Sequence, residues 1–553
     1  MSHERRWLAA ILLGAFLLFT FRLGDGSLWD QDEAKYTQVA REMVLNGDPL
    51  TLRYNGVPWF VHPPLYFWLV AATARLFGFT EFVARIWSAV FGVAGVWATY
   101  LLGRDLYGPR TGLLAAVILA TALQYFIQSR LAVFDVVLVA FMLLAARAFW
   151  IAYRTDGRRA LPFFAWAGLA TLAKGPIGLL LPGMVALVFL ALRRDLKRLR
   201  EVPWHLGIPL YAVIGLGWYV VEALRHGGAF VGTAIGYYTF TRFLGAVEGQ
   251  SGSVWYYVPV LLLGTFPWTA FAPGMIAYHW RQIGAGRSRR LAVSAGPEAA
   301  SCAPASDADA SLFLLLWCAL TFLFYTAAGT KLPNYVLPIY PLLAVGLGAM
   351  WDAALGEGDP AARRAAGWGV ALMAAAAVMA GAGIVFFLRG RYPAEMPAIA
   401  GQLRLIGLIQ AVGTAAAAGA FLARRDRLAF AAIPVAMVVT LAVVLVSVLP
   451  VVEAHKPMKT FAATVRARLG PDEHLAVLME ERASLRYYVE RRVEWFDDAG
   501  RFLAHVCASP HRVVVVPEGP EHAALRASLG PARAVARGGG VQALEMEGRL
   551  ACR

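Results

Sequence analysis

The sequence predicts a mainly α-helical membrane protein with many spans, followed by a small soluble α/β domain. Of its 553 residues, 59% are hydrophobic and 16% are charged. Its mean hydropathy is +0.56, far above that of a typical soluble protein. The formal net charge of +15 comes from short Lys/Arg clusters between apolar runs. That distribution is typical of membrane orientation signals, so we expect a lipid bilayer and no nucleic acid as partner.

Apolar runs of roughly 17–25 residues predict about thirteen transmembrane helices. No small-residue cleavage site follows the first run, so we interpret it as an uncleaved helix. The apolar segment from Tyr66 to Phe77 is too short to cross upright, and we expect it to lie along the interface. The predicted spans are 7–23, 82–103, 111–127, 134–153, 160–173, 176–192, 205–223, 254–278, 312–328, 335–352, 367–388, 401–422 and 428–450.

The loops between the spans predict the orientation. Alternate loops are rich in Lys and Arg, and the positive-inside rule places them in the cytoplasm. A transmembrane domain over 1–453 then has its first outer loop, 24–81, on the outer side of the membrane. Residues 454–553 are predicted to form an α/β domain on the same side, with strands near 475–479 and 513–516 and helices near 482–489 and 498–507. Cys507 and Cys552 either form a disulfide there or are free thiols.

The first outer loop carries a polar cluster, Trp29-Asp30-Gln31-Asp32-Glu33-Ala34-Lys35-Tyr36. The spacing from Glu33 to Leu45 predicts a juxtamembrane helix. We expect Arg41 and Glu42 on its solvated face, and a second helical segment after the turn at 46–48. An N-cap explains one aspartate, but it does not explain Asp30, Asp32 and Glu33 together.

Further charged residues lie at the ends of later apolar spans. Asp135, Lys174 and Lys331 are all predicted on the same outer side. Ionisable groups at membrane depth are costly and usually functional. The alternatives are a helix N-cap for Asp135, interfacial snorkelling for the two lysines and an aromatic-belt position for Tyr335.

Five motifs in order resemble those of a known family over roughly residues 7–450. They are Asp32-Glu33 after the first span, Pro63-Pro64-Leu65-Tyr66, Asp135 at a span start, Lys174-Gly175-Pro176, and the segment from Lys331 to Pro338. Their order and spacing resemble the GT-C membrane glycosyltransferases that use polyprenyl-phosphate sugars. The most similar groups are the lipid A aminoarabinose transferase and the protein O-mannosyltransferases.

The resemblance implies which residues act. Asp32 and Asp135 correspond to catalytic aspartates, and Lys35 to a basic residue of the same loop. Residues expected near the substrate or its phosphate are Asp30, Glu33, Lys35, His62, Arg85, Arg130, Lys174, Arg242, Lys331 and Tyr335. The alternative for Arg85 is an interfacial charge at a helix end.

This sequence also departs from the aminoarabinose transferases. Where they carry Glu-Lys-Pro it has Val61-His62-Pro63, and they have a histidine shortly before Trp255-Tyr256-Tyr257 that is missing here. His62 is open to two interpretations: a hydrogen-bonded structural histidine, or a metal ligand together with Asp32 or Glu33. No cofactor is required by these observations, and a divalent metal stays an alternative.

The function expected from these features is inverting transfer of a sugar from a polyprenyl-phosphate donor on the periplasmic face. A base would take the acceptor proton, and cations would stabilise the departing phosphate. Lipid A, a protein or another envelope glycan is the expected acceptor, and a monomer the expected state. The alternative is a multispan transporter or flippase of a lipid-linked sugar, although no internal repeat favours it. A receptor or scaffold that acts through the C-terminal domain is a third class.

Overall fold

The computed structural model describes residues 3–30, 32–246, 249–293, 306–356, 359–391, 396–508 and 511–546. The chain is mainly helical, as predicted. Its α-helices are α1 (His3–Thr20), α2 (Asp32–Asn46), α3 (Leu65–Phe77), α4 (Glu81–Tyr107), α5 (Pro109–Ala120), α6 (Leu123–Gln128), α7 (Asp135–Arg154), α8 (Leu161–Lys174), α9 (Ile177–Leu192), α10 (Trp204–Tyr211), α11 (Gly217–His226), α12 (Gly228–Phe230), α13 (Arg242–Leu244), α14 (Tyr257–Gly264), α15 (Ala272–Val293), α16 (Ser306–Ala327), α17 (Ile339–Leu355), α18 (Pro360–Arg391), α19 (Met396–Leu422), α20 (Asp426–Val443), α21 (Leu449–Ala454), α22 (Met458–Arg466), α23 (Ala483–Val489), α24 (Ala499–Ala508) and α25 (Ala523–Ser528).

Seven strands complete the regular structure: β1 (Arg53–Tyr54), β2 (Val57–Pro58), β3 (Leu475–Leu478), β4 (Val493–Phe496), β5 (Val513–Pro517), β6 (Ala532–Gly538) and β7 (Val541–Met546). Short 3₁₀ turns lie at Gly157–Ala160, Leu196–Arg200, Trp268–Phe271, Pro333–Val336 and Pro520–His522. Wider π-helical turns lie at Ala212–Leu216, Val231–Thr241 and Val444–Val448.

Two compact units make up the chain. The larger unit comprises Met1–Arg22, Phe60–Tyr66 and Ile86–Val448. The smaller unit comprises Leu23–Trp59, Phe67–Arg85 and Leu449–Arg553. The smaller unit thus joins most of the first outer loop to the C-terminal region, although they are far apart in sequence.

The larger unit is a helical membrane body. Six helical stretches among the described residues are long and apolar enough to span a bilayer, or eight if two bent pairs each count as one span. The six are Glu81–Tyr107, Asp135–Arg154, Trp204–His226, Asp307–Ala327, Pro397–Leu422 and Asp426–Ala454. Other predicted spans are shorter helices, such as α5 and α9. A count of thirteen therefore stays a prediction.

Small residues set the helix packing in the larger unit. A side chain at Gly112 would bring its Cβ within 2.6 Å of the Tyr100 carbonyl oxygen, and one at Gly348 within 2.9 Å of the Thr111 carbonyl oxygen. Glycine at these positions lets α5 approach both α4 and α17 closely, which is the usual way that helices gain packing energy in a membrane.

In the smaller unit, a five-stranded sheet has the order β4-β3-β5-β7-β6. β3 pairs in parallel with β4 and β5, and β7 is antiparallel to β5 and β6. β3 is buried throughout, and so is β5 up to Val516. Val477 and Val515 pack in one hydrophobic core with α22 and α23, while Val514 packs in a second core with α24. The continuous apolar runs predicted as strands are explained by burial on both faces.

Two expectations for the first outer loop are wrong. The segment after the turn at 46–48 is a β1–β2 hairpin, because Asn55 and Gly56 both adopt positive φ (54° and 82°), as a tight hairpin turn requires. Arg41 and Glu42 are 8% and 4% exposed, so they do not form a solvated face. Their burial is explained by partners within the smaller unit, described below.

Candidate active site

A buried ion pair lies where α7 begins and α8 ends. The two helices pack side by side, and Lys174 Nζ donates to Asp135 Oδ1. Their side chains are 13% and 4% exposed. The second oxygen of Asp135 accepts a hydrogen bond of 2.9 Å from Asn334 Nδ2. The N-cap of α7 is Phe134 and not Asp135, and the Lys174 ammonium is paired with a buried carboxylate, which favours a role in a site over capping or snorkelling.

The backbone after Lys174 makes this placement possible. Gly175 adopts a φ of +106°, a conformation that residues with a Cβ rarely adopt. Pro176 then stands at the N-cap of α9, where its missing N–H has no helical partner to lose. The reversal ends α8 at Lys174 and leaves the ammonium at the helix end.

Aromatic rings and a second cation surround the pair. Lys174 Nζ lies 5.1 Å from the ring centroid of Tyr335 and 5.5 Å from that of Phe134. Tyr335 Oη accepts a 3.0 Å hydrogen bond from Arg242 Nε. Arg242 Nη2 donates to Gln250 Oε1 at 2.7 Å. Two of the predicted phosphate-contacting cations thus flank one tyrosine.

His62 belongs to the same cluster. Its ring centroid lies 4.6 Å from that of Phe134. Burial, and then the positive charges of Lys174 and Arg242, hold the pKa of His62 well below its usual value. The imidazole is therefore neutral near pH 7, and it offers a hydrogen bond without adding charge to the site.

Two other predicted cations contact helix ends. Lys331 is 6% exposed, and its Nζ donates to the carbonyl oxygens of Thr326 (2.7 Å) and Ala328 (2.8 Å) at the end of α16. Arg130 Nη1 donates to the carbonyl oxygen of Phe19 at 2.8 Å, at the end of α1. Both positions satisfy carbonyls that a helix terminus leaves without partners. Contact of these two residues with a phosphate stays a prediction.

The smaller unit contains the remaining predicted residues. Asp32 is the exposed first residue of α2. Asp30 Oδ1 accepts a 2.9 Å bond from the Ser484 amide. Lys35 Nζ lies 3.5 Å from Glu481 Oε1 and 5.1 Å from the centroid of the Tyr54 ring.

Glu33 and Arg85 form a buried two-pronged ion pair in this unit. Arg85 Nε donates to Glu33 Oε1 at 2.9 Å, and Arg85 Nη2 donates to Glu33 Oε2 at 2.8 Å. The remaining donors of the guanidinium bond the carbonyl oxygens of Leu23, Gly26 and Ser27. This geometry gives the pair a structural role in holding the loop. Direct substrate contact by either residue stays a prediction.

A metal-ligand role for Asp32, Glu33 or His62 stays a prediction. Within the described ranges, no group of three or more His, Cys, Asp and Glu side chains could hold a metal ion. The Glu33 carboxylate is occupied by Arg85 and by the Trp29 amide, at 3.0 Å.

Sequence reasoning missed Asn334 and Gln250 as partners in the site. Asn334 lies inside the segment from Lys331 to Pro338 that carried the resemblance, so that motif was the available signal. Gln250 had no comparable signal, because an isolated glutamine in a loop carries no spacing information.

Comparison with known proteins agrees with this architecture. Residues 61–218 match the family described as dolichyl-phosphate-mannose-protein mannosyltransferase. The fold is that of the crystal structure of ArnT from Cupriavidus metallidurans bound to undecaprenyl phosphate, with a TM-score of 0.80 over 99% of each chain at 22% identity. The archaeal oligosaccharyltransferase AglB from Archaeoglobus fulgidus is also similar (TM-score 0.50, 14% identity, 94% of this chain and 70% of that chain). The resemblance to the GT-C-type membrane glycosyltransferases that the motifs predicted is confirmed.

Within that class, the chain is similar to the aminoarabinose transferases. It is 29% identical over 398 residues to the undecaprenyl phosphate-alpha-4-amino-4-deoxy-L-arabinose arabinosyl transferase of Pseudomonas aeruginosa (strain UCBPP-PA14). That alignment covers 68% of this chain and 66% of the relative, and others cover 57–60% of theirs. The match thus spans slightly less than two thirds of the length of these curated relatives.

Proposed function

We propose that this protein transfers a sugar from a polyprenyl-phosphate donor to an acceptor hydroxyl or phosphate on the periplasmic face of a bacterial inner membrane. One observation carries the proposal. Lys174 and Arg242 flank Tyr335 beside the buried carboxylate of Asp135. An anionic phosphate complements such a concentration of positive charge, and the related fold of ArnT is known bound to undecaprenyl phosphate.

The proposed step is a direct displacement with inversion at the anomeric carbon. The acceptor oxygen forms a bond to that carbon, and the bond from carbon to the phosphate oxygen breaks. The electron pair leaves with the polyprenyl phosphate, whose new charge Lys174 and Arg242 stabilise. Asp32 takes the acceptor proton as general base, and Asp135 keeps the Lys174 ammonium in place.

The finer topology belongs to the same proposal. Thirteen spans would put the first outer loop and residues 454–553 on the periplasmic side, which fits the Lys/Arg-rich loops on the opposite side. Lipid A is the acceptor that the resemblance to the lipid A aminoarabinose transferases suggests, and a protein or another envelope glycan are the other candidates. The proposal names no sugar, because Val61-His62-Pro63 departs from the Glu-Lys-Pro of the family that the motifs resemble.

The test is transfer by the purified full chain in liposomes. Undecaprenyl-phosphate sugars and candidate acceptors are supplied, and mass spectrometry detects glycosylated acceptor and released undecaprenyl phosphate. A general base contributes about 10²–10⁴-fold, so Asp32→Asn should lower kcat by at least about 100-fold. Asp25→Asn, an exposed carboxylate of the same loop, is the matched control. Full activity of Asp32→Asn, or movement of the lipid-linked sugar across the bilayer without phosphate release, would contradict the proposal.

A further inference from the structure

Helix α2 begins with the proposed base, Asp32, and is buried on nearly all sides. Its buried residues include both Arg41 and Glu42. A buried charge is tolerated only when it is paired and hydrogen-bonded. The partners of these two residues therefore show what fixes the helix.

Both carboxylate oxygens of Glu42 accept hydrogen bonds. Oε1 accepts hydrogen bonds from Gln38 Nε2 (2.7 Å) and from the Asn55 amide (2.9 Å). It also accepts one from Arg486 Nη2 at 3.0 Å. Oε2 accepts from the Gly56 amide at 2.9 Å. Glu42 thus ties α2 to the β1–β2 turn and to α23 of the C-terminal region.

Arg486 holds both of these elements at once. Its Nε donates to Asn55 Oδ1 at 3.0 Å, while its Nη2 bonds Glu42. The side chains of Arg486 and Glu42 are 11% and 5% exposed. A planar guanidinium presents several donors in a fixed fork, which a lysine ammonium does not reproduce.

The same short helix α23 receives other contacts from α2 and its N-terminal flank. Arg41 Nη1 donates to the Tyr487 carbonyl oxygen at 2.7 Å, and the guanidinium lies 4.0 Å from the centroid of that ring. On the N-terminal side, Asp30 Oδ1 accepts from the Ser484 amide at 2.9 Å. The Leu28 amide donates to Tyr488 Oη at 2.7 Å. The contacts therefore hold the chain on both sides of Asp32.

We propose that Glu42 and Arg486 are positioning residues for the transfer reaction. Their bond is the centre of the α2–α23 junction, which comprises the contacts just described. The junction fixes the Asp32 carboxylate at the start of α2, so the C-terminal region is part of the catalytic apparatus. This inference rests on the proposed function, because it assigns a consequence to the position of Asp32.

The alternative is that the pair contributes only to overall stability. These two explanations predict different effects of a conservative substitution. A positioning pair changes the turnover of bound substrate, because a misplacement of the order of 1 Å can cost about 100-fold in rate. The donor KM is expected to stay constant, because the proposed phosphate-binding cations are not altered. A pair that only adds stability lowers the folded fraction and leaves the kcat of the folded protein unchanged.

The experiment compares Glu42→Gln and Arg486→Lys with two controls in the full chain. The controls are Glu545→Gln and Arg468→Lys, because Arg468 Nη1 bonds Glu545 Oε2 at 2.6 Å in the same unit, and neither residue belongs to α2 or α23. Hydrogen exchange is followed by mass spectrometry over residues 32–46 and over β3 and β5. The kcat and donor KM are measured in liposomes and corrected for the folded fraction.

We expect faster exchange over 32–46 in both test variants, with β3 and β5 still protected. We also expect kcat to fall by about 10-fold or more at a constant KM, and the controls to match wild type. Unchanged exchange over 32–46 overturns the inference whatever the activity, and so does a kcat within about 2-fold of wild type. A wild-type protein that transfers no sugar overturns the proposed function, while the exchange data still show whether Glu42 and Arg486 hold α2.

Discussion

Replacing Arg85 with methionine should destabilise the first outer loop far more than a typical surface substitution. The guanidinium makes two bonds to Glu33 and three to backbone carbonyls, at 2.7–3.1 Å. The side chains of Arg85 and Glu33 are 7% and 2% exposed. Removing one partner of a buried ion pair costs about 3–5 kcal/mol, because the other charge stays buried without compensation.

The three carbonyls of Leu23, Gly26 and Ser27 add to this cost. A buried polar group that loses its partner costs about 1–3 kcal/mol. A water molecule that enters and hydrogen-bonds the carbonyl can offset part of that cost. We therefore expect Arg85→Met to lower the opening free energy of this segment by at least about 4 kcal/mol. That is a large fraction of the total stability of about 5–15 kcal/mol that folded proteins have.

The assay is hydrogen exchange over residues 23–30, supported by thermal unfolding. The double variant Glu33→Gln with Arg85→Met should be more stable than Arg85→Met alone, because no unpaired charge remains buried. Arg501→Met is the control, since Arg501 and Asp497 form a pair with side chains 74% and 84% exposed. Two results would refute this reasoning. One is a decrease in opening free energy below about 1 kcal/mol in Arg85→Met. The other is a double variant whose decrease equals the sum of the decreases in Glu33→Gln and Arg85→Met.

Three further results are expected. Lys174→Met should lower the thermal midpoint and abolish transfer, whereas adding Asp135→Asn should restore the midpoint but not transfer; equal midpoints in the single and double variants would contradict this. The depressed pKa of buried His62 means that its contribution to stability is present above about pH 6.5 and is lost as pH falls below that unfolded-state value. Between pH 7.5 and pH 5.5 the free energy of unfolding should therefore fall less in His62→Gln than in wild type. Equal decreases would contradict this prediction. Gly175 has a φ of 106° and a ψ of −170°, so Gly175→Ala should cost about 1–3 kcal/mol and reduce turnover. Gly183→Ala, with open space around it, should do neither in the same assays.

Much of the architecture was predictable because its signals are local. Long apolar runs predict membrane helices, and the runs at 475–478 and 513–516 are buried on both faces of the sheet. Strand β6 was not predicted, because its sequence Ala-Arg-Ala-Val-Ala-Arg-Gly carries few residues with strong β preference. Its pairing with β7 is local, across the turn Gly539-Gly540, and a Gly-Gly turn is the hairpin signal that was available for both strands.

The candidate site likewise combines residues that local sequence signals reveal with residues that they do not. Lys174 and Asp135 stood out as charges at the ends of apolar spans. Asn334, which bonds Asp135, is 199 residues away from it in sequence, and periodicity carries no information at that distance. Arg41 and Glu42 were placed on a solvated face because long charged side chains usually are. Their partners on α23 come from the opposite end of the chain and could not be inferred from the loop alone.

The discontinuous make-up of the smaller unit has a consequence for biosynthesis. Glu42 and Arg486 are separated by 444 residues, so a ribosome that adds about 5–20 residues per second makes the second partner roughly 20–90 s after the first. During that interval the first loop has left the ribosome, while the guanidinium that its buried carboxylate needs does not yet exist. The loop therefore reaches its final structure only after the last hundred or so residues have been made. A nascent chain released early carries an incomplete site, even when all the residues of that loop are present.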